Sequence, residues 1–253
     1  MVPLFSFLTV TGGRGKIGEE KAEVMPSAAR KAEIISALEP RFASALEIRE
    51  RAAPQLLSTG IAELDLAIGG IPRGALTEIF GAASSGRSSL LGAALADATS
   101  RQEACALVDA GDAFDPTSAA AAGVELDRLL WIRCGGNPER AIFAADLLAQ
   151  GGGFGLLALD LGDTPSQQAR RIPLTSWFRL RRAVENTPTA LVVLEQEPHA
   201  KSCASLGLEM SRRGTAWSGA PGCSLLFRGL ALRAERRKPG RAGVAVFQAL
   251  AAG

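Results

Sequence analysis

Histidine occurs once in this 253-residue chain, at His199, and cysteine four times, at Cys105, Cys134, Cys203 and Cys223. A lone imidazole and four scattered thiols without CxxC spacing offer no zinc-ligand pattern. So few cysteines also exclude the dense disulfide framework of a small secreted scaffold and fit a reducing cytoplasm. No run of about 18 apolar residues is present, so no membrane-spanning helix is predicted. The opening MVPLFSFLTV is apolar but short, lacks a basic lead-in and runs into TGGRGKIGEEK rather than a small-residue cleavage site. It reads as a loose tail rather than a signal peptide, with Met25 an alternative start. Internal repeats are missing as well.

What is present is an ordinary globular composition, 47% apolar and 21% charged, in a chain long enough to bury one full core. The net charge of +2 conceals an asymmetry. Residues 1–150 carry 14 basic and 19 acidic side chains, and residues 151–253 carry 14 and 7. A back half of net +7 attracts phosphate backbones or an acidic protein partner.

Residues 1–25 read as a disordered tail. Residues 26–53 read as an amphipathic helix and linker, with Ala32, Ile35 and Leu38 at helical spacing before Pro40. From residue 54 to 253 the texture is that of one core. The apolar runs 76–80, 104–110, 129–134, 155–161 and 190–196 predict strands buried on both faces. Between them, 87–100, 115–122, 138–150 and 173–186 predict helices. This alternation specifies an α/β fold with a mainly parallel sheet and flanking helices. Past residue 222, CSLLFRGLALRAERR and VAVFQAL, joined by KPGRAG, predict antiparallel strands closing the sheet.

The chemistry concentrates at EIFGAASSGRSSLL, residues 78–91. Gly81 through Gly86 to Ser88 has the GxxxxGK[ST] spacing of a phosphate-binding loop, with arginine, Arg87, in place of lysine. Gly81 and Gly86 permit the tight turn that aims amides at phosphate, Ser84 and Ser85 within it and Arg87, Ser88 and Ser89 just after it are the further nucleotide-binding candidates, and the following helix adds its positive end. Ser88 stands where a hydroxyl would ligate magnesium, and Asp160, ending the strand GLLALD, where a carboxylate would hold the same ion through water. A glycine turn with no ligand is the alternative. Arginine is no neutral replacement for that lysine: its planar fork is bulkier and spreads its charge, so phosphate binding can survive where hydrolysis does not.

The segment LSTGIAELDLAIGGIPRGALTEIFGAASSGRSSL with LVDAGDAFDP (residues 107–116) resembles the lead-in, Walker A block and following strand of the RecA recombinase family. That resemblance implies ATP and magnesium as ligands and Gln196 as the sensor of the terminal phosphate. It also places Gly111 where the catalytic glutamate belongs, with Asp112 one residue out of place. Residues 169–194, ARRIPLTSWFRLRRAVENTPTALVVL, are similar instead to the ImuA branch, RecA-like proteins that accompany polymerases in damage-induced mutagenesis. No counterpart of the recombinase's carboxy-terminal domain is expected.

With Arg87 and Gly111 both altered, ATPase activity is expected to be weak or absent. The helix from Pro173 carries Leu174, Trp177, Leu180 and Val184 as an apolar stripe, read as core. Arg228, Arg233, Arg236, Arg237, Lys238 and Arg241 are candidates for single-stranded DNA contact, with a solvated or protein-facing basic surface as the alternative. The resemblance implies a RecA-like accessory protein of the DNA-damage (SOS) response that binds DNA and recruits translesion polymerase components. The alternative is a DNA-dependent ATPase that forms filaments of RecA-like protomers in recombinational repair.

Overall fold

In the computed structural model, residues 55–219, 224–240 and 243–250 are described; the tail (1–25) and the amphipathic helix (26–53) lie outside them, as do Cys223 and Arg241. Strands β1 (Leu56–Leu57) and β2 (Ile71–Pro72) pair antiparallel on either side of helix α1 (Ala62–Ile68). Strand β3 (Ala75–Phe80) then enters the main sheet and delivers the chain to helix α2 (Arg87–Ser100). There follow β4 (Cys105–Asp109), α3 (Pro116–Ala121), β5 (Leu129–Arg133), α4 (Pro138–Gly151), β6 (Leu156–Asp160), α5 (Ser166–Ala169), α6 (Leu174–Val184) and β7 (Ala190–Glu195). The chain ends in three antiparallel strands, β8 (Ala204–Ser218), β9 (Leu226–Lys238) and β10 (Val244–Leu250).

The eight-stranded sheet runs β10-β9-β8-β3-β7-β6-β4-β5, parallel from β8 through to β5. This is the α/β architecture that the apolar runs predict. Every residue of β4 and β7 is buried, which is why those runs do not alternate with polar residues. Successive side chains still go to opposite faces: Leu156 and Ala158 of β6 join α2 residues Leu90, Leu91 and Leu95, while Leu157 and Leu159 join Ala141 and Ala145 of α4 and Trp177 and Leu180 of α6. Helix starts follow local chemistry. Asp115 accepts the amides of Thr117 and Ser118, Asn137 accepts that of Arg140, and Pro116 and Pro138 occupy the first helical positions.

The apolar stripe of α6 is core at Trp177, Leu180 and Val184, whereas Leu174 is 39% exposed at the helix start. Trp177 is 1% exposed and so is unavailable for base stacking. Replacing it with alanine removes a large side chain from between the sheet and α4, with an expected loss of about 3–5 kcal/mol. Chemical denaturation followed by circular dichroism checks this; a midpoint shift no larger than that of a surface substitution would contradict the packing.

Strand β8, at 15 residues, is not evident in the sequence, because ASLGLEMSRRGTAWS interrupts its apolar positions with glycine and arginine. Its first half pairs parallel with β3, from Leu76↔Ala204 to Phe80↔Glu209. Its second half runs beyond the end of β3 and pairs only with β9, as far as Ser218↔Leu226. The β8–β9 hairpin therefore overhangs the end of the parallel sheet at which β3 passes into residues 81–86.

Candidate functional site

Residues 81–86 make the turn from β3 into α2, and two glycines in it are required by close approach. A Cβ on Gly81 would fall on Met210 O of β8, and one on Gly86, at φ 90°, would fall on the Leu232 side chain of β9. The antiparallel hairpin thus backs the loop. Ser84 takes a left-handed φ of 58°, and Ser85 is buried with an Oγ that has no partner among the described residues. Gly86 brings no side-chain acceptor to the N-cap of α2, and the first turn holds no acidic residue. The first-turn amides of such a helix have no intrahelical acceptors and carry its positive end, so the turn suits an anion. Ser88 and Ser89 are exposed there.

Gly162, which the sequence does not single out, ties the site together. Arg87 Nη2 donates to its carbonyl at 3.4 Å and Gln196 Nε2 at 3.0 Å, while its own amide donates to Asp160 Oδ1 at 2.7 Å. Three of the candidate residues, from α2, β6 and the end of β7, thereby converge on one peptide. Burial pushes the Asp160 carboxyl up to about 6, against the pull of the Gly162 amide; Asp109 and Asp163 raise it further and Arg87 opposes them. Burial also lowers the Arg87 guanidinium from its usual value, with Asp160 and Asp163 acting the other way. Arg87, Ser88, Ser89, Asp160 and Asp163 line one cavity of about 490 Å³.

Gly111 follows β4 on the turn that Asp109 holds by accepting the amides of Ala113 and Phe114 and the indole of Trp131. A Cβ on Gly111 would lie 3.1 Å from Asp163 Cβ and 3.6 Å from its Oδ2, so a longer residue at 111 would come up against the Asp163 side chain. Asp112 turns away, pairing with Arg133 at 3.1 Å and accepting the Gly135 amide. No carboxylate is offered from the β4 turn to the cavity at positions 111 or 112.

Behind Gln196 lies a buried trio. Glu78 accepts the amides of His199 (2.9 Å) and Ala200 (2.5 Å), and Glu195 Oε2 meets both the His199 amide and its Nδ1 at 3.0 Å. Burial raises both carboxyls above their usual range, and the hydrogen bond that His199 donates to Glu195 raises its imidazole. These groups fix the turn that carries Gln196. A glutamate inside each of two apolar runs, LTEIF and ALVVLE, is the sequence signal that marks them.

The basic candidates do not share one surface. Arg233 pairs with Glu235, and Arg237 with Glu235 and Glu209. Arg236 lies opposite the buried Leu208, on the other face, with a sealed Nε that has no partner among the described residues. Lys238 Nζ donates to Lys201 O, and Arg228 Nε to Ser218 Oγ at the far end of the hairpin. Arg179, on α6, is held by Asp146. A larger cavity of about 740 Å³ lies elsewhere, between Gly135–Ile142 and a wall that includes Arg171, Ile172 and Ser176. No helix among the described residues is long and apolar enough to cross a membrane.

The RecA N-terminal domain family matches residues 35–165. Protein RecA of Deinococcus radiodurans is 35% identical over 159 residues, covering 56% of this chain and 43% of that protein. Protein RecA of Acidiphilium cryptum is 43% identical over 163 residues, covering 58% and 47%. Protein RecA of Chloroflexus aurantiacus is 30% identical over 166 residues, covering 59% and 47%. Each match thus spans just under half of the relative's own length. The loop between β3 and α2, the α/β sheet around it and a family match over more than half of the chain agree, and the chain belongs to the RecA N-terminal domain family.

Proposed function

We propose that this chain is a RecA-like protein of DNA repair that has kept a nucleotide site and lost hydrolysis, and that it serves as an accessory scaffold. In this reading it binds single-stranded DNA and brings translesion polymerase components to it. The observation that carries the reading is the Gly111–Asp163 contact. Where a water-positioning carboxylate would project from the β4 turn there is no side chain, and the Asp163 side chain borders the space. Hydrolysis needs such a group to orient the attacking water; binding does not.

Gly81, Ser84, Ser85, Gly86, Ser88 and Ser89 are assigned to the phosphates, Gln196 to the outermost one. The stretch RIPLTSW gives Trp177 to the core and Ile172 and Ser176 to the rim of the larger cavity, which is where the polymerase components are assigned. Arg170 joins this stretch to Glu197, next to Gln196, at 2.7 Å, a physical link between the two regions.

The test is ATP hydrolysis with and without single-stranded DNA, alongside nucleotide binding and co-purification with the polymerase components. Binding without DNA-stimulated turnover is expected. Turnover of ordinary recombinase strength would sink the scaffold reading in favour of a filament-forming, DNA-dependent ATPase.

A further inference from the structure

The Arg87 side chain lines the cavity that Asp160 and Asp163 also line. It is 8% exposed, its Nη2 reaches Gly162 O at 3.4 Å, and the two carboxylates that act on it are Asp160 and Asp163. Its Nη1 is sealed from solvent without an acceptor among the described residues. The site is shaped to hold the guanidinium there: a Cβ on Gly162 would lie 2.9 Å from Asp160 Oδ1 and 3.5 and 3.6 Å from Arg87 Nη1 and Cζ. A side chain at 162 would crowd the Asp160 carboxylate and touch the guanidinium.

A magnesium ion demands near-octahedral oxygen ligands, kept largely as water, with one or two carboxylates in support. Ser88 and Asp160 are the residues of this chain that would supply them. Asp160 Oδ1 is taken by the Gly162 amide, and a permanently charged guanidinium lines the same cavity as that carboxylate. An arriving dication would meet a fixed positive charge that lines the same cavity as Asp160 and Asp163. The donor set does not fit the ion.

We propose that the Arg87 guanidinium replaces magnesium as the neutralising charge of this loop, so that a nucleoside polyphosphate binds here without a divalent cation. This rests on the nucleotide reading above. A guanidinium carries the charge and the fork of N–H donors that phosphate oxygens accept, and it is never deprotonated in a protein. The unpartnered Nη1 and Ser85 Oγ are donors awaiting an acceptor, which an anionic oxygen satisfies, and the uncapped first turn of α2 adds amides. Asp160 and Asp163 then serve to orient Arg87 rather than to hold a metal.

The experiment is titration of the full chain with fluorescently labelled ADP and ATP, in excess EDTA and in excess magnesium. Wild-type affinities are expected to agree within about threefold between the two conditions. Arg87→Lys, whose compact ammonium leaves Gly162 O and the carboxylates uncovered, is expected to acquire a magnesium dependence of about tenfold or more. Arg87→Gln is expected to lose binding in EDTA. Thermal melts establish that each variant is folded. Wild-type binding that needs magnesium would overturn this proposal and leave the nucleotide site standing. No binding in either condition would bring down both.

Discussion

Replacing Arg87 with Lys, Gly111 with Glu and Asp163 with Ser together is expected to raise ATP turnover in magnesium and single-stranded DNA by about 10²–10⁴-fold. Phosphate release under saturating nucleotide measures it. The double variant R87K/G111E, which the motif comparison alone suggests, is expected to recover little. A side chain at 111 starts 3.1 Å from Asp163 Cβ and 3.6 Å from its Oδ2, so a glutamate there would clash with Asp163 and repel it. Serine at 163 removes that carboxylate, and lysine at 87 frees the Gly162 carbonyl. Full recovery in the double variant would show that Asp163 does not obstruct the position. A folded, nucleotide-binding triple variant with no turnover would show that hydrolysis was lost at groups beyond these three.

The need for the third substitution marks what the sequence can and cannot convey. The phosphate loop, its glycines and the Asp160 strand are legible because each is a local pattern: an apolar run, a fixed spacing, a helix start. Five of the six parallel strands are legible for the same reason, since strands buried on both faces have no polar positions to confuse with another period; β5 departs from that expectation, being the sheet edge with Leu130 and Arg133 exposed. Asp163 is not legible. It lies more than fifty residues from Gly111 along the chain, and only the adjacency of β4 and β6 brings the two turns together. Gly162 is hidden in the same way, since its importance is a carbonyl and an open Cα rather than a side chain. Strand β8 escapes notice because its outer half overhangs the sheet, where exposed arginines and glycines replace the apolar alternation. Phosphate approach alone does not account for the glycines of the loop. Met210 O and Leu232 show that packing against the hairpin requires them as well.

Single-stranded DNA binding is expected to weaken when Arg233, Arg237 and Lys238 are changed together to alanine, and to tighten when Glu209 and Glu235 are changed to glutamine. These residues meet on one side of the β8–β9 hairpin: the register sets Arg233 opposite Ser211, Glu235 opposite Glu209 and Lys238 opposite Gly207. Arg237 joins them through its pairs with Glu209 at 2.5 Å and Glu235 at 2.7 Å. Each neutralised phosphate on a single strand contributes about 0.7 to the slope of log affinity against log salt, so removing three cations should flatten that slope by about 2. At about 0.1 M salt this corresponds to a loss on the order of 10 to 100-fold in affinity, the lower figure if the ion pairs already engage part of the charge. Glutamine at 209 and 235 removes the competing anions and releases both guanidinium groups, so its effect must have the opposite sign. Arg236 serves as the control. It lies on the far face, opposite Leu208, and its replacement is expected to leave the salt slope unchanged. Fluorescence anisotropy with an oligonucleotide of mixed sequence, repeated across a salt series, reads all three. If neither variant on the near side moves the affinity or the slope, this face does not contact DNA, and its ion pairs are those of a solvated or protein-facing surface.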